Sequence, residues 1–220
     1  TMPRSYIRNG FWEDFPFQRH PGDEITQEHK DFAASVQHRL EEAGIALAQG
    51  IHNRTGYRRL ALAGGVVLNC DMNAKILQQD FVDDIYIQPA AHDEGTAIGA
   101  ALTAYLDSDG QLPINKMRHV YLGSEDHHIR NTLDTYKLRY TRLSNPARDV
   151  AEMLSDGKMI GYFQDRMEFG PRALGNRSIL ADPRDPDMKD KVNNAVKFRE
   201  EWRPFAPSIL AEAAPSYLEH

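Results

Sequence analysis

The sequence predicts an α/β protein, on three observations: short apolar runs that stop at glycine or proline, helical patterns between those runs, and one long amphipathic stripe near the start. With 220 residues, 41% hydrophobic and 26% charged, the chain has the composition of a folded protein and not of a disordered, collagen-like or coiled-coil one.

The elements follow in order. Residues 1–25 set Tyr6, Phe11, Trp12, Phe15 and Phe17 among Pro3, Pro16 and Pro21 without a sustained period, and are expected to form an irregular arm. From about Thr26 the apolar positions Phe32, Val36, Leu40, Ala43, Leu47 and Ile51 form one stripe of an amphipathic helix that ends near Asn53 to Gly56. Leu60 to Ala63 is a strand stopped by Gly64-Gly65, and the stretch after Val66 to Asn69 is helical through Leu77. Asp84 to Gln88 is a second strand, ended by Pro89, and Thr96 to Leu106 is a helix whose Ala97, Gly99, Ala100 and Ala101 allow close approach of a neighbour.

Residues 107–145 are polar and read as a linker, with Asn115 to Leu122 and Leu138 to Leu143 as weak strand candidates. Asn145-Pro146 supplies an N-cap and a proline at the first helical position, and Gly157 closes that helix. Lys158 to Gln164 and Arg177 to Ala181 are strands, and Pro186 to Val196 is a helix.

Charge and cysteine content narrow the function. The single cysteine, Cys70, excludes an internal disulfide framework and a thiolate zinc site. No apolar run approaches the roughly 20 residues of a membrane span, and Thr1-Met2-Pro3-Arg4 does not begin a secretory signal, so a soluble cytoplasmic protein is expected. The net charge of −6 argues against nucleic-acid or anionic-membrane partners. Only residues 158–203 are basic, with 10 Lys and Arg against 8 Asp and Glu, and the arginines there are interleaved with Gly, Pro and Asn, which suits a pocket for small anions.

Four strings carry candidate chemistry. Ala63 to Asn69 places paired glycines between a strand and a helix, a plausible nucleotide contact or simply a tight turn. His92-Asp93-Glu94-Gly95 offers a carboxylate for a divalent cation and a histidine for proton transfer, or an Asp93 helix cap. Gly161 to Ser178 sets Arg166, Arg172 and Arg177 on a glycine-rich backbone; guanidinium forks match phosphate and carboxylate, although ion pairs to Glu168 and Asp182 would also account for arginines there. Lys197 to Pro207 adds Lys197, Arg199 and Arg203 beside aromatic residues, either a place for a flat anionic ligand or a helix end laced with ion pairs through Glu200 and Glu201.

Together these strings resemble the O-carbamoyltransferase family, which includes nodulation-protein and antibiotic-tailoring carbamoyltransferases. The resemblance rests on Leu62 to Asn69, on Pro89 to Gly95 with Ala97 to Ala101, on Arg166 to Pro183 and on Arg203 to Pro207, which occur in the family's order. It implies that residues 1–106 are the C-terminal half of an actin-like ATPase module of the threonylcarbamoyl-transferase type. Residues 107–145 are then a linker, and residues 146–220 the start of a small α/β domain that forms carbamoyl adenylate.

Further expectations come with the resemblance. Carbamoyl phosphate and ATP give carbamoyl adenylate, and the carbamoyl group passes to a hydroxyl of a sugar-like or other small acceptor. Gly64, Gly65, Asn69, Lys197 and Arg199 would contact nucleotide, and Asp93 would bind a divalent metal, iron or magnesium, with His92 assisting. Arg166, Arg172, Asn176, Arg177, Ser178 and Arg203 would face carbamoyl phosphate or the adenylate, Arg172 taking part in catalysis. The family runs to more than twice this length and carries a histidine-rich metal motif absent here, so the chain is expected to be an internal fragment, inactive alone. Asp165 stands where the family pattern expects glycine. The alternatives are a non-catalytic nucleotide- or anion-binding module, and a threonylcarbamoyl or hydrogenase-maturation enzyme.

Overall fold

The computed structural model describes residues 19–20, 22–109, 111, 117, 119–125 and 127–218. Most of the expected N-terminal arm lies outside them, as do Asn115, Lys116 and Arg118 of the Asn115 to Leu122 strand candidate, whose described residues form no strand. The protein is a mixed α/β chain in two compact units, residues 1–112 and 113–220.

In the first unit, helix α1 (Gln27–Thr55) begins after Thr26, whose side chain and His29 form a reciprocal capping box. It ends at Gly56, which takes the left-handed φ of 72° and donates its N–H to the His52 carbonyl. Strand β1 (Arg59–Leu62) is followed by a 3₁₀ turn (Gly65–Leu68) and helix α2 (Cys70–Leu77). Strand β2 (Asp84–Ile87) pairs in parallel with β1, Leu60 opposite Ile85 and Leu62 opposite Ile87. Helix α3 (Gly95–Asp109) follows.

Ala48, Leu60, Val67, Met72, Ile76, Val82 and Ala91 form the core of this unit, with Leu40, Ile45 and Ile51 packed against it. The buried face of α1 is therefore turned from the expected stripe: Val36 is 54% and Leu47 71% exposed, and Ala43 is exposed too. The reason is size. A Cβ added at Gly44 would lie 2.9 Å from Cγ and Sδ of Met72 and 3.4 Å from Ile76, so α1 turns its smallest residues, Gly44 and Ala48, toward α2 and lets the larger side chains of α2 fill the space.

In the second unit, helix α4 (Ile129–Thr135) lies within the stretch expected to be a linker, and Leu138 to Leu143 forms no strand. Helix α5 (Pro146–Ser155) has Asn145 as its N-cap, accepting from the Arg148 N–H at 3.2 Å, and Gly157 follows with φ 78°. Strands β3 (Ile160–Phe163) and β4 (Arg177–Leu180) pair antiparallel, Phe163 opposite Arg177. Helix α6 (Met188–Val192) widens into a π turn (Asn193–Lys197), and a 3₁₀ turn (Ala214–Ser216) follows. No helix among the described residues is long and apolar enough to cross a membrane.

Candidate functional site

Parallel pairing sends the chain out of β1 and β2 at the same end of the sheet, the end where open α/β sheets place ligands. Two of the four strings therefore meet. The Gly64 N–H donates to the Ala91 carbonyl at 2.6 Å, with Gly64 at a φ of 102° that favours glycine. Gly65 lies against the His92 ring: a Cβ there would sit 2.4 Å from Cδ2 of the imidazole. His92 Nδ1 is 3.3 Å from a carboxylate oxygen of Asp93, whose side chain is 92% exposed. The main-chain carbonyl of Asp93, not its carboxylate, takes up Thr96, accepting from its N–H at 3.1 Å and its hydroxyl at 2.6 Å.

Asn69 is engaged within the fold. Its Oδ1 accepts from the Met72 N–H at 2.9 Å, capping α2, and its amide exchanges hydrogen bonds of 2.7 and 3.1 Å with Gln37 of α1. Among the described residues no three His, Cys, Asp or Glu side chains gather in a set able to hold a metal ion. Asp93 and His92 offer two donors, fewer than a metal centre needs.

The third string is the loop between β3 and β4. Its centre is Glu168, whose side chain is fully buried. One carboxylate oxygen accepts from the main-chain N–H groups of Leu174 (2.8 Å), Asn176 (2.7 Å) and Arg177 (3.2 Å), and the other from Arg177 Nε at 3.0 Å. Burial would push this carboxyl up. The N–H groups of Leu174, of Glu168 itself and of Asn176, with the Arg177 guanidinium, outweigh burial and hold it at about 2.

The buried Asn176 donates to the Arg166 carbonyl at 2.8 Å and accepts from Gln164 at 3.1 Å, and the Ser178 hydroxyl accepts from the Gly175 N–H. Arg166 reaches the carbonyls of Gly123 (2.7 Å) and Leu122 (3.1 Å), and Arg177 also holds the Gly170 carbonyl at 3.1 Å. The segment 120–123 backs the loop further: Phe169 donates to the Val120 carbonyl and Gly123 to that of Met167. Asp165 has φ 47°, the left-handed conformation glycine enters without cost and aspartate tolerates.

Arg166 and Arg177 therefore spend part of their donor sets inside the loop, as the ion-pair account of these arginines anticipated for Glu168. Asp182, the other acid of that account, pairs instead with Arg184 at 2.5 Å. Arg172 is exposed and meets no acceptor among the described residues.

The fourth string forms an open cleft of about 480 Å³ lined by Asn194, Phe198, Arg199, Glu200 and Arg203. Phe198 is 84% exposed at φ 49°. Arg199 lies over the Phe205 ring at 4.6 Å, while Arg203 pairs with Glu200 at 2.9 Å beside the Trp202 ring. Lys197 is exposed at the end of the π turn and is not part of the lining.

Sequence reasoning passed over two residues that organise these places, Glu168 as more than a surface acid and Asn193 altogether. The available signal for the first was slight, an acid flanked by Met167 and Phe169 in a loop otherwise rich in arginine. A lone asparagine near a helix end gave none for the second.

Comparison with known proteins adds a second line of evidence. The carbamoyltransferase N-terminus matches residues 14–102 and the carbamoyltransferase C-terminus residues 151–220. Nodulation protein NolNO of Sinorhizobium fredii is 44% identical over 206 residues, covering 91% of this chain and 30% of its own length. Nodulation protein NolO of Bradyrhizobium diazoefficiens is 43% identical over 206 residues, covering 91% and 38%. A Synechocystis protein named only as uncharacterized, sll1178, is 40% identical over 220 residues, covering 92% and 34%. The chain thus spans about a third of the length of these relatives.

Proposed function

The chain belongs to the carbamoyltransferase family, and from that premise we propose that the protein is an ATP-dependent O-carbamoyltransferase. It moves a carbamoyl group from carbamoyl phosphate, through carbamoyl adenylate, to a hydroxyl of a sugar-like or other small acceptor. The observation that carries the reading is the match of both family regions in order along one chain. In this reading residues 1–106 are half of an actin-like module and residues 146–220 open the adenylate-forming domain.

The chemistry assigns roles to the site. Water hydrolyses carbamoyl phosphate to carbamate and inorganic phosphate, a carbamate oxygen then attacks the α-phosphorus of ATP, and the bond to pyrophosphate breaks as pyrophosphate leaves. These anions need fixed cations that act in the transition state. Arg172 supplies an uncommitted guanidinium, and Arg166 and Arg177 present the N–H groups their internal partners leave over. Nucleotide lies along Arg199 with Lys197 near the phosphates, Arg203 faces carbamoyl phosphate or the adenylate, and Gly64 and Gly65 contact nucleotide in the transfer module.

In the second step the acceptor hydroxyl attacks the carbamoyl carbon, its proton passes to a base for which His92 is the candidate, and AMP leaves. Asp93 contributes one carboxylate toward a divalent cation, iron or magnesium. Among the described residues no third carboxylate, histidine or cysteine joins Asp93 and His92 to complete that ligand set.

The purified full-length protein, of which this chain is expected to be a part, should release pyrophosphate from ATP only when carbamoyl phosphate is present, and a screen of hydroxyl acceptors should then identify the carbamoylated product. Pyrophosphate release that ignores carbamoyl phosphate, or none at all, sinks the reading. The internal commitment of Arg166 and Arg177 favours one alternative, a module that holds nucleotide or anion without turning it over. Calorimetry with each ligand separates the two.

A further inference from the structure

The cleft at residues 194–203 is organised from beneath by one side chain. Asn193 is 0% exposed, at the start of the π turn, a local widening of the helix that recurs at functional sites. Its Oδ1 accepts from Arg199 Nε at 2.7 Å. Its Nδ2 donates to the carbonyls of Arg203 at 3.1 Å and Glu201 at 3.3 Å. Its own carbonyl accepts from the N–H groups of Phe198 and Arg199. Only this orientation of the amide meets a guanidinium N–H with oxygen and two carbonyls with nitrogen.

Arg199 is thereby fixed at three points: Nε on Asn193, Nη2 on the Pro204 carbonyl at 3.2 Å, and its flat face on Phe205. Two of its five N–H donors are used, so the rest of the fork remains for a ligand in the cleft, whose wall also carries the exposed ring of Phe198. A guanidinium held in advance loses less freedom on binding an anion than a swinging one. The requirement is chemical. Aspartate offers no donor to the two carbonyls, leucine offers neither donor nor acceptor, and glutamine is too long for a fully buried place.

We infer that Asn193 is a positioning residue for nucleotide binding: its Oδ1 presents Arg199 to the phosphates of ATP, while its Nδ2 closes the loop that forms the cleft wall. The inference rests on the proposed nucleotide reading of Lys197 and Arg199. It goes beyond that reading by separating the two halves of one amide, the oxygen serving the ligand and the nitrogen serving the fold.

The test is a double-mutant cycle read by calorimetric binding of ATP to the full chain. Asn193→Ala should weaken binding about tenfold when Arg199 is present, the equivalent of losing one charge-assisted hydrogen bond, and less than about twofold in the Arg199→Ala background. Asn193→Asp keeps the acceptor and loses the donor, so it should lower the melting temperature yet hold ATP affinity within about threefold. It decides the matter if the alanine variant fails to fold.

Equal losses in both backgrounds, or an aspartate variant that binds as poorly as Arg199→Ala, overturn the positioning role and leave the nucleotide reading standing. A wild-type chain that does not bind ATP overturns the nucleotide reading, and the role falls with it.

Discussion

Among the described residues, the buried side chains of the first unit are apolar but for Asn73, whereas in the second the buried apolar side chains are Met188 and Val192 and the buried polar ones are Glu168, Asn176 and Asn193. The two halves therefore hold their shape by different physics. Apolar burial is non-directional and grows with area, roughly 25 cal/mol per Å², so a neighbour of similar volume substitutes at modest cost. A buried carboxylate or amide is directional: it fixes loop backbone atom by atom and fails when one atom is wrong. A surface that must present arginines in set orientations gains from the second kind of support.

The sharpest way to break this contrast is Glu168→Gln, the largest effect expected. It removes the charge that four N–H donors share and leaves the partly exposed Arg177 without its carboxylate, a loss of about 3 kcal/mol, the lower end for breaking a buried pair. Hydrogen exchange should show lost protection across residues 160–180 and little change in α1 and α2. Acid should act at the same place. The folded carboxyl at about 2 lies below the ordinary 4.5, so its stabilisation is present above pH 4.5 and is lost as pH falls toward 2. The loop should open in that window, and Glu168→Gln should remove the dependence. An acid response that is the same in wild type and variant would place the sensitivity elsewhere.

Gly44→Ala is the counterpart in the first unit and should cost less, about 1–3 kcal/mol, because overpacking a well-fitted helix contact forces Met72 off its rotamer. Packing is a matter of volume, so the defect should be repairable from the other side. In a Met72→Ala background the added methyl has room, and Gly44→Ala should become nearly neutral or stabilising by chemical denaturation. No such rescue is expected at Glu168, where geometry and not volume is lost. Additive costs at Gly44 and Met72 would show that the glycine serves something other than this contact.

The same contrast decides what could be read in the sequence. Caps and breakers are local chemistry, so Thr26, Gly56, Asn145, Pro146 and Gly157 marked the ends of α1 and α5 where the structure has them. Of the expected stripe of α1, Leu40 and Ile51 pack against the core while Val36, Ala43 and Leu47 stay exposed, because the face toward α2 is set by what α2 inserts and is made by Gly44 and Ala48. Helix α4 lacks a side-chain cap and has no buried residue, so nothing in its composition separated it from a polar linker. At the candidate site, parallel pairing brings two of the four strings together, Gly64-Gly65 and His92-Asp93, which lie too far apart in sequence for any local pattern to join them. Which arginines are spent internally depends on carbonyls dozens of positions away, such as Leu122 and Gly123 for Arg166, and that pairing has no local signature.

The smallest effect on stability is expected where the candidate transfer chemistry lies. Gly65→Ala would set a methyl 2.4 Å from His92 Cδ2, nearer than any real contact, so one of the two must move. The backbone has no reason to: the φ of Gly65 is not in the left-handed region, so alanine is tolerated there. His92 is about half exposed, at 49% of its side chain, and its ring is free to swing into solvent. The cost to folding should therefore stay below about 1 kcal/mol, within the range of a surface change. The imidazole should move, seen as altered ring proton shifts of His92 in the variant, with α1 and β1 amides unchanged. A loss of several kcal/mol instead would mean that the Gly65–His92 contact is part of the core, and that the strand ends are as rigid as the Glu168 loop. Unchanged His92 shifts would mean that the turn yields and the ring does not, which would make Gly65 a feature of the turn alone.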